Sequence, residues 1–250
     1  MRAILTWHSI DPSGSPISLS RDVFRRQVEW LTSGRVRVVG VEELVCLDGA
    51  DDAVALTFDD GFVNFATEAA PLLRERGLPA TLFVVAGHVG GDNQWRRRRE
   101  AGIPVLPLLG WDDLALLRES GITIGAHTRT HPALPTIGEE ALVDELRGTA
   151  DEMERRLGER PSGFAYPYGA VNARLAHVTA RYYTWACTTE FRLLGGGESL
   201  TLLPRLDTWY FRDPDRFANW GTSGFRAWIW YWRQLRRARR GMHRVWSAST

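Results

Sequence analysis

Two pairs of side chains in this 250-residue sequence have the types and spacing that chemistry needs. The first is Asp59-Asp60, which closes the apolar run Ala53 to Phe58 and is followed by Gly61. Adjacent carboxylates can divide labour, one holding a cation while the other takes a proton. An Asp-Gly pair is also an ordinary turn at a strand exit, so by itself it decides nothing. The second pair is His127 and His131, in His127-Thr128-Arg129-Thr130-His131. Side chains four apart on one helical turn project to the same side, about 5–6 Å apart at Cβ, so both imidazoles can reach one metal ion. A lone histidine pair is more often a satisfied surface feature. Together with an acidic pair at the same sheet end, it supplies two histidines and one carboxylate, with open positions for water and substrate.

Both pairs follow strand-like runs, and parallel α/β folds place their sites at the C-terminal ends of strands. Ala3 to Trp7, Val36 to Val39, Ala53 to Phe58, Ala80 to Val85 and Ile122 to Gly125 read as strands, as do Ser162 to Tyr166, Tyr183 to Thr188 and Leu200 to Leu203. Between them lie helix-period segments. Ser20 can cap one that carries Val23, Phe24, Val28 and Leu31. Others cover Asn64 to Arg76, closed by Gly77, then Trp111 to Glu119, and Asn172 to Arg181. Gly138 to Leu157 has the clearest stripe, Leu142, Val143, Leu146, Ala150, Met153 and Leu157, ended by Gly158. This alternation predicts an α/β fold on a parallel sheet, doubly wound or closed into a barrel. Gly87 to Leu109, with Arg96-Arg97-Arg98-Arg99, reads as a long loop: a lid or a solvated charge run.

Composition narrows the chemistry. All 31 basic residues are arginine, against 30 acids, for a formal charge of +1. Without lysine there is no Schiff-base chemistry and no phosphate-loop lysine. The near-zero charge does not predict nucleic-acid binding. Cys46 and Cys187 read as two buried free thiols. The segment Met1 to His8 is too short in apolar residues for a signal peptide, and no run is long enough to cross a bilayer. The expected location is cytoplasmic, with a membrane association considered below.

The sequence resembles the polysaccharide deacetylases, a carbohydrate esterase family with bacterial members. The first family motif, T-F-D-D-G, matches residues 57 to 61, and the second, H-[ST]-x-x-H, matches His127, Thr128 and His131. Leu78 to Val84 and Trp111-Asp112-Asp113-Leu114 resemble the connecting strand and helix start. Phe164 to Gly169 resembles the third motif, and Trp7-His8-Ser9-Ile10 a segment of exopolysaccharide-type members. The resemblance spans roughly residues 3 to 207. It implies a distorted (β/α) barrel of about seven strands and a metal-dependent hydrolase removing N-acetyl groups from an amino-sugar glycan or glycolipid. Asp60, His127 and His131 would hold a divalent cation, zinc first, with cobalt, nickel or manganese as alternatives. Asp59 would be the general base and the Tyr168 N–H an oxyanion donor. Thr128 would fix the histidine loop.

The pattern departs in three places. Ala165 stands where the third motif often has an arginine that orients the base, and Arg205 is the expected replacement. The fourth motif has no counterpart. The fifth, which carries the general-acid histidine, is absent. His8, at the end of the first strand, is the substitute acid or else a structural histidine; His88, His177 and His243 lie in less favourable contexts. Trp111 lines the sugar site or belongs to the core. A glycan-binding pseudoenzyme, or a deacylase of another small-molecule amide, remains the competing reading.

The barrel is expected to cover residues 1–222 and a basic, Trp-rich tail 223–250. Residues 225–244 hold seven arginines and no acid. Phe225, Trp228, Ile229, Trp232 and Leu235 share one stripe; Arg226, Arg233, Arg237 and Arg240 share another. This pattern suits a helix in a membrane interface, and equally one packed on the barrel or against a subunit. Nucleic acid is not an expected partner. The oligomeric state leaves no mark on the sequence.

Overall fold

The computed structural model describes residues 1–49, 51–95, 101–213 and 215–247, with side chains up to 239. The expected Arg96–Arg99 run therefore lies outside the described residues, as do the side chains of Arg240 and His243. Seven parallel strands form the barrel: β1 (Arg2–Trp7), β2 (Ala53–Phe58), β3 (Thr81–Val84), β4 (Thr123–Ala126), β5 (Gly163–Ala165), β6 (Trp185–Cys187) and β7 (Leu206–Asp207). Their order in the sheet is β7-β1-β2-β3-β4-β5-β6, and the short strand Arg37–Val38 also pairs with β2. β1 and β2 are buried at every position, as continuous apolar runs in parallel sheets should be. The two sheet ends, β6 and β7, do not pair directly. Leu203 bridges Cys187 in parallel and closes the gap, which is the distortion in the barrel.

Leu200–Leu203 is not a strand. Leu200–Leu202 forms a 3₁₀ turn, and Pro204, which has no N–H to donate, ends the ladder after Leu203. The helix expected over 64–76 is a π turn, Phe65–Ala69, running into Ala70–Glu75. Pro71 cannot donate to the carbonyl four residues back, and a widened turn relieves that conflict. The helix expected over 138–157 is likewise interrupted, by a π turn at Asp144–Gly148 between Glu139–Val143 and Thr149–Leu157. Its stripe stays buried at Leu142, Leu146, Ala150, Met153 and Leu157. Cys187 is buried, with its thiol pushed up to about 12 by desolvation, but Cys46 is exposed at the end of helix Val41–Cys46.

A 25-residue helix, Ser223–Ser247, completes the described chain. Phe225 and Ile229 are buried in the core cluster that also holds Phe191, Phe211 and Phe217. Trp228 packs edge-on against Phe211, 5.0 Å between centroids, and Trp232 against Tyr210 at 4.8 Å. Of the surfaces this stripe could cover, membrane, barrel or subunit, it is largely the barrel that covers it. Trp230 and Tyr231 remain exposed. Among the described residues no helix is long and apolar enough to cross a membrane.

Candidate active site

Asp60 follows β2, His127 follows β4, and Tyr168 lies just past β5, so strand ends deliver the site. Among the described residues, the non-glycine positions with positive φ are Asp60 (74°), Thr128 (68°), His131 (57°) and Tyr168 (58°). All four belong to this one site. Such conformations cost of order 1–3 kcal/mol each and persist only where the surroundings impose them.

The buried donors of Asp60, His127 and His131 converge. Asp60 Oδ1 lies 3.5 Å from Nε2 of each histidine, and the two Nε2 atoms are 3.3 Å apart. Ligand atoms about 2.0–2.1 Å from one tetrahedral ion are separated by about 3.3–3.4 Å, so these three positions fit a zinc-like cation. His127 Nδ1–H donates to the Ala165 carbonyl at 2.7 Å. A carbonyl only accepts, so the proton sits on Nδ1 and the Nε2 lone pair points at the other two donors. Burial, reinforced by neighbouring His127, holds the His131 pKa well below its usual value, which keeps the ring neutral, the form a metal ion would need. His131 Nδ1 is 3.2 Å from the Tyr168 hydroxyl.

Asp59 is buried beside this triad and gripped by Arg205. The guanidinium reaches both carboxylate oxygens, at 2.6 and 2.7 Å. Arg205 is itself buried and donates further to the Thr188 carbonyl and the hydroxyls of Thr6 and Thr57. Since β1 lies between β7 and β2, the side chain crosses β1 to reach the carboxylate. Burial alone would raise the Asp59 pKa. The Arg205 charge and hydrogen bonds, with smaller help from His127 and His8, hold it far below the carboxylate range. Asp59 is therefore an anion at any physiological pH.

The resulting cavity, about 150 Å³, is lined by Asp59, Asp60, His127, His131, His8, Tyr166 and Tyr168, with an apolar wall of Ile17, Trp95, Ile103 and Val105. His8 Nε2 stands 3.7 Å from Asp59 Oδ2. Thr128 Oγ1 accepts the His131 backbone N–H at 3.0 Å. Trp111 is not among the lining residues. It starts the helix Trp111–Glu119, partly buried, with the Arg156 guanidinium 5.8 Å from its ring. The tryptophan at the site is Trp95, stacked on His131 at 4.5 Å. Nothing local marked it, since it lies inside the long loop. His88 sits behind it, edge-on at 4.9 Å, and His177 is exposed on Ala173–Thr179.

Comparison with known proteins places this geometry in context. The polysaccharide deacetylase family model matches residues 47–184. The chain is 29% identical over 152 residues to chitin deacetylase 1 of Cryptococcus neoformans, covering 61% of this chain and 28% of that protein. It is 23% identical over 169 residues to a poly-beta-1,6-N-acetyl-D-glucosamine N-deacetylase of Staphylococcus aureus, covering 62% and 55%. The chain thus spans less than two thirds of the length of these sequence relatives. The solved structure of IcaB from Ammonifex degensii superposes with a TM-score of 0.72 at 24% identity, over 84% of this chain and 94% of that one, and shares the fold. With more than half its length matched, the chain belongs to the polysaccharide deacetylase family.

Proposed function

We propose that the protein is a metal-dependent hydrolase that removes an acetyl group from an N-acetylated amino sugar in a glycan or glycolipid. One observation carries this reading: an ionised, arginine-held Asp59 shares a cavity with the convergent donors of Asp60, His127 and His131. A divalent cation held by those three groups would supply Lewis-acid polarisation of the acetamide carbonyl and of an attacking water. Asp59, adjacent in sequence but turned to Arg205, accepts the water proton. The Tyr168 backbone N–H serves the developing oxyanion. His8 delivers a proton to the departing amine. Trp95 and Tyr168 offer aromatic faces to the sugar ring.

The deciding measurement is acetate release from a panel of N-acetylhexosamine oligomers and glycolipids, run beside Asp59→Asn and with metal analysis. Release that needs both metal and Asp59 is the expected result. Metal retained with no release from any substrate would favour a glycan-binding module instead. Zinc is the first candidate, since two imidazoles and a carboxylate with open positions suit it.

A further inference from the structure

The segment from His127 to His131 sets both ligand imidazoles, yet it has no regular structure and two of its residues, Thr128 and His131, have positive φ. Something must impose that shape. Its carbonyls are held from one side: Ala86 N–H donates to Thr128 O at 3.1 Å and Gly87 N–H to Arg129 O at 2.9 Å. Gly87 is required there, because a Cβ would fall 2.5 Å from that carbonyl oxygen. Two of its N–H groups go the other way, to Glu145. Arg129 N–H and Thr130 N–H both donate to Glu145 Oε2, at 2.7 and 3.0 Å, and the Thr130 hydroxyl donates to Oε1. Two successive N–H groups closing on one anionic oxygen form a compact anion cradle, here filled by the chain's own buried carboxylate.

Glu145 sits in the π turn, Asp144–Gly148, that interrupts an otherwise regular helix. Such bulges concentrate at functional sites. Asp144, the neighbouring residue of the turn, takes the Arg129 guanidinium at 3.0 and 3.2 Å. The turn is locked by the Thr149 hydroxyl donating to the Glu145 carbonyl at 2.8 Å. Gly148 leaves room for the Asp144 side chain, which a Cβ would meet at 2.6 Å.

We infer that Glu145 is the positioning residue of the metal centre: the widened turn aims its carboxylate at the His127–His131 segment, and that contact fixes where the two ligand nitrogens point. This rests on the reading of Asp60, His127 and His131 as the metal ligands. Groups that orient metal ligands typically contribute about 10–100-fold to metal affinity when removed.

The test is calorimetric titration of the chelator-stripped protein with zinc, alongside circular dichroism and urea unfolding. Glu145→Ala should remain folded and bind zinc about 10–100-fold more weakly. Glu145→Gln should recover most of the affinity, since its carbonyl can accept both N–H groups while its amide donates to the Thr130 hydroxyl. Glu145→Asp keeps a carboxylate but loses reach, and should bind weakly; it decides the matter if the alanine variant does not fold. A purely structural role would lower the urea midpoint and leave the affinity of the folded protein unchanged. A folded Glu145→Ala or Glu145→Asp protein that binds zinc as the wild type does would overturn the inference. Wild-type protein that binds no zinc would instead remove the metal-site reading on which it stands.

Discussion

At the residue scale the central object is the Asp59–Arg205 pair, because it sets the charge of the proposed base and lowers its basicity in doing so. A carboxylate held this far below its ordinary pKa is always ready to accept a proton but accepts weakly, so the proposed reaction would depend on an acidified water. Arg205→Lys keeps the charge and loses the two-pronged grip. It should lower kcat at least about tenfold while zinc affinity holds, measured by acetate release and titration. Arg205→Ala leaves a buried, unpaired anion and should also lose about 3–5 kcal/mol of stability by urea unfolding. His8→Ala is expected to retain metal and lose about 10²–10⁴-fold in turnover of amides. Acetate esters, whose leaving group needs less protonation, should suffer much less. Equal losses on both substrates would count against His8 as the acid. The sequence made Asp59, Asp60, His127 and His131 legible because each pair is local. Arg205 was legible only as a replacement for the residue missing at Ala165. Trp95 and Glu145 were not, since no spacing rule links a residue in a long loop or in a π turn to a histidine loop on another element.

At the element scale, the periodic reading missed the two π turns and left open which surface the C-terminal helix covers. Hydrophobic period survives a one-residue bulge well enough that Leu142 to Leu157 still looked like one helix, although the bulge is where Glu145 meets the histidine loop. The C-terminal helix clamps the loop after β6: Arg233 and Arg237 each donate to Glu190 at 2.8 Å, and Arg236 to the Thr189 carbonyl at 3.3 Å. Glu190 O accepts the Arg205 N–H and Thr189 Oγ1 donates to the Tyr168 carbonyl, so this loop joins the helix to the site. Burial would raise the Glu190 pKa, but Arg233 and Arg237 lower it overall. A depressed folded-state pKa means the contribution is complete above the unfolded value, about 4.3, and fades as pH falls through the folded one. The urea-midpoint difference between wild type and Glu190→Gln should therefore be constant above about pH 5 and shrink below about pH 4. A difference that does not vary with pH would show that the contact carries no charge-dependent stability.

Across the whole molecule, the formal charge of +1 combines a net −6 over residues 1–224 with +7 over 225–250. A peripheral contact with an anionic membrane is a proposal that this asymmetry and the exposed Trp230 and Tyr231 motivate. Deleting the helix is a poor test. Phe225 and Ile229 alone bury about 1.5–3 kcal/mol each, and their loss would uncover Phe211 and Phe217. The paired variant Trp230→Ala/Tyr231→Ala leaves the core intact. It should reduce sedimentation with anionic vesicles several-fold and leave acetate release from a soluble oligomer unchanged; undiminished sedimentation would reject those rings as the contact. The sequence by itself determined the acidic pair, the histidine pair, the strand ends that carry them and the parallel α/β class, because these follow from spacing along one or two elements; the roles of base and metal donors came only with the family resemblance. The tertiary structure decided how Arg205 grips Asp59, which carboxylate contacts the histidine loop and which face of the last helix is covered. Those contacts join residues from 15 to 146 positions apart, and the sheet order β7-β1-β2, not local periodicity, brings Arg205 across β1 to Asp59.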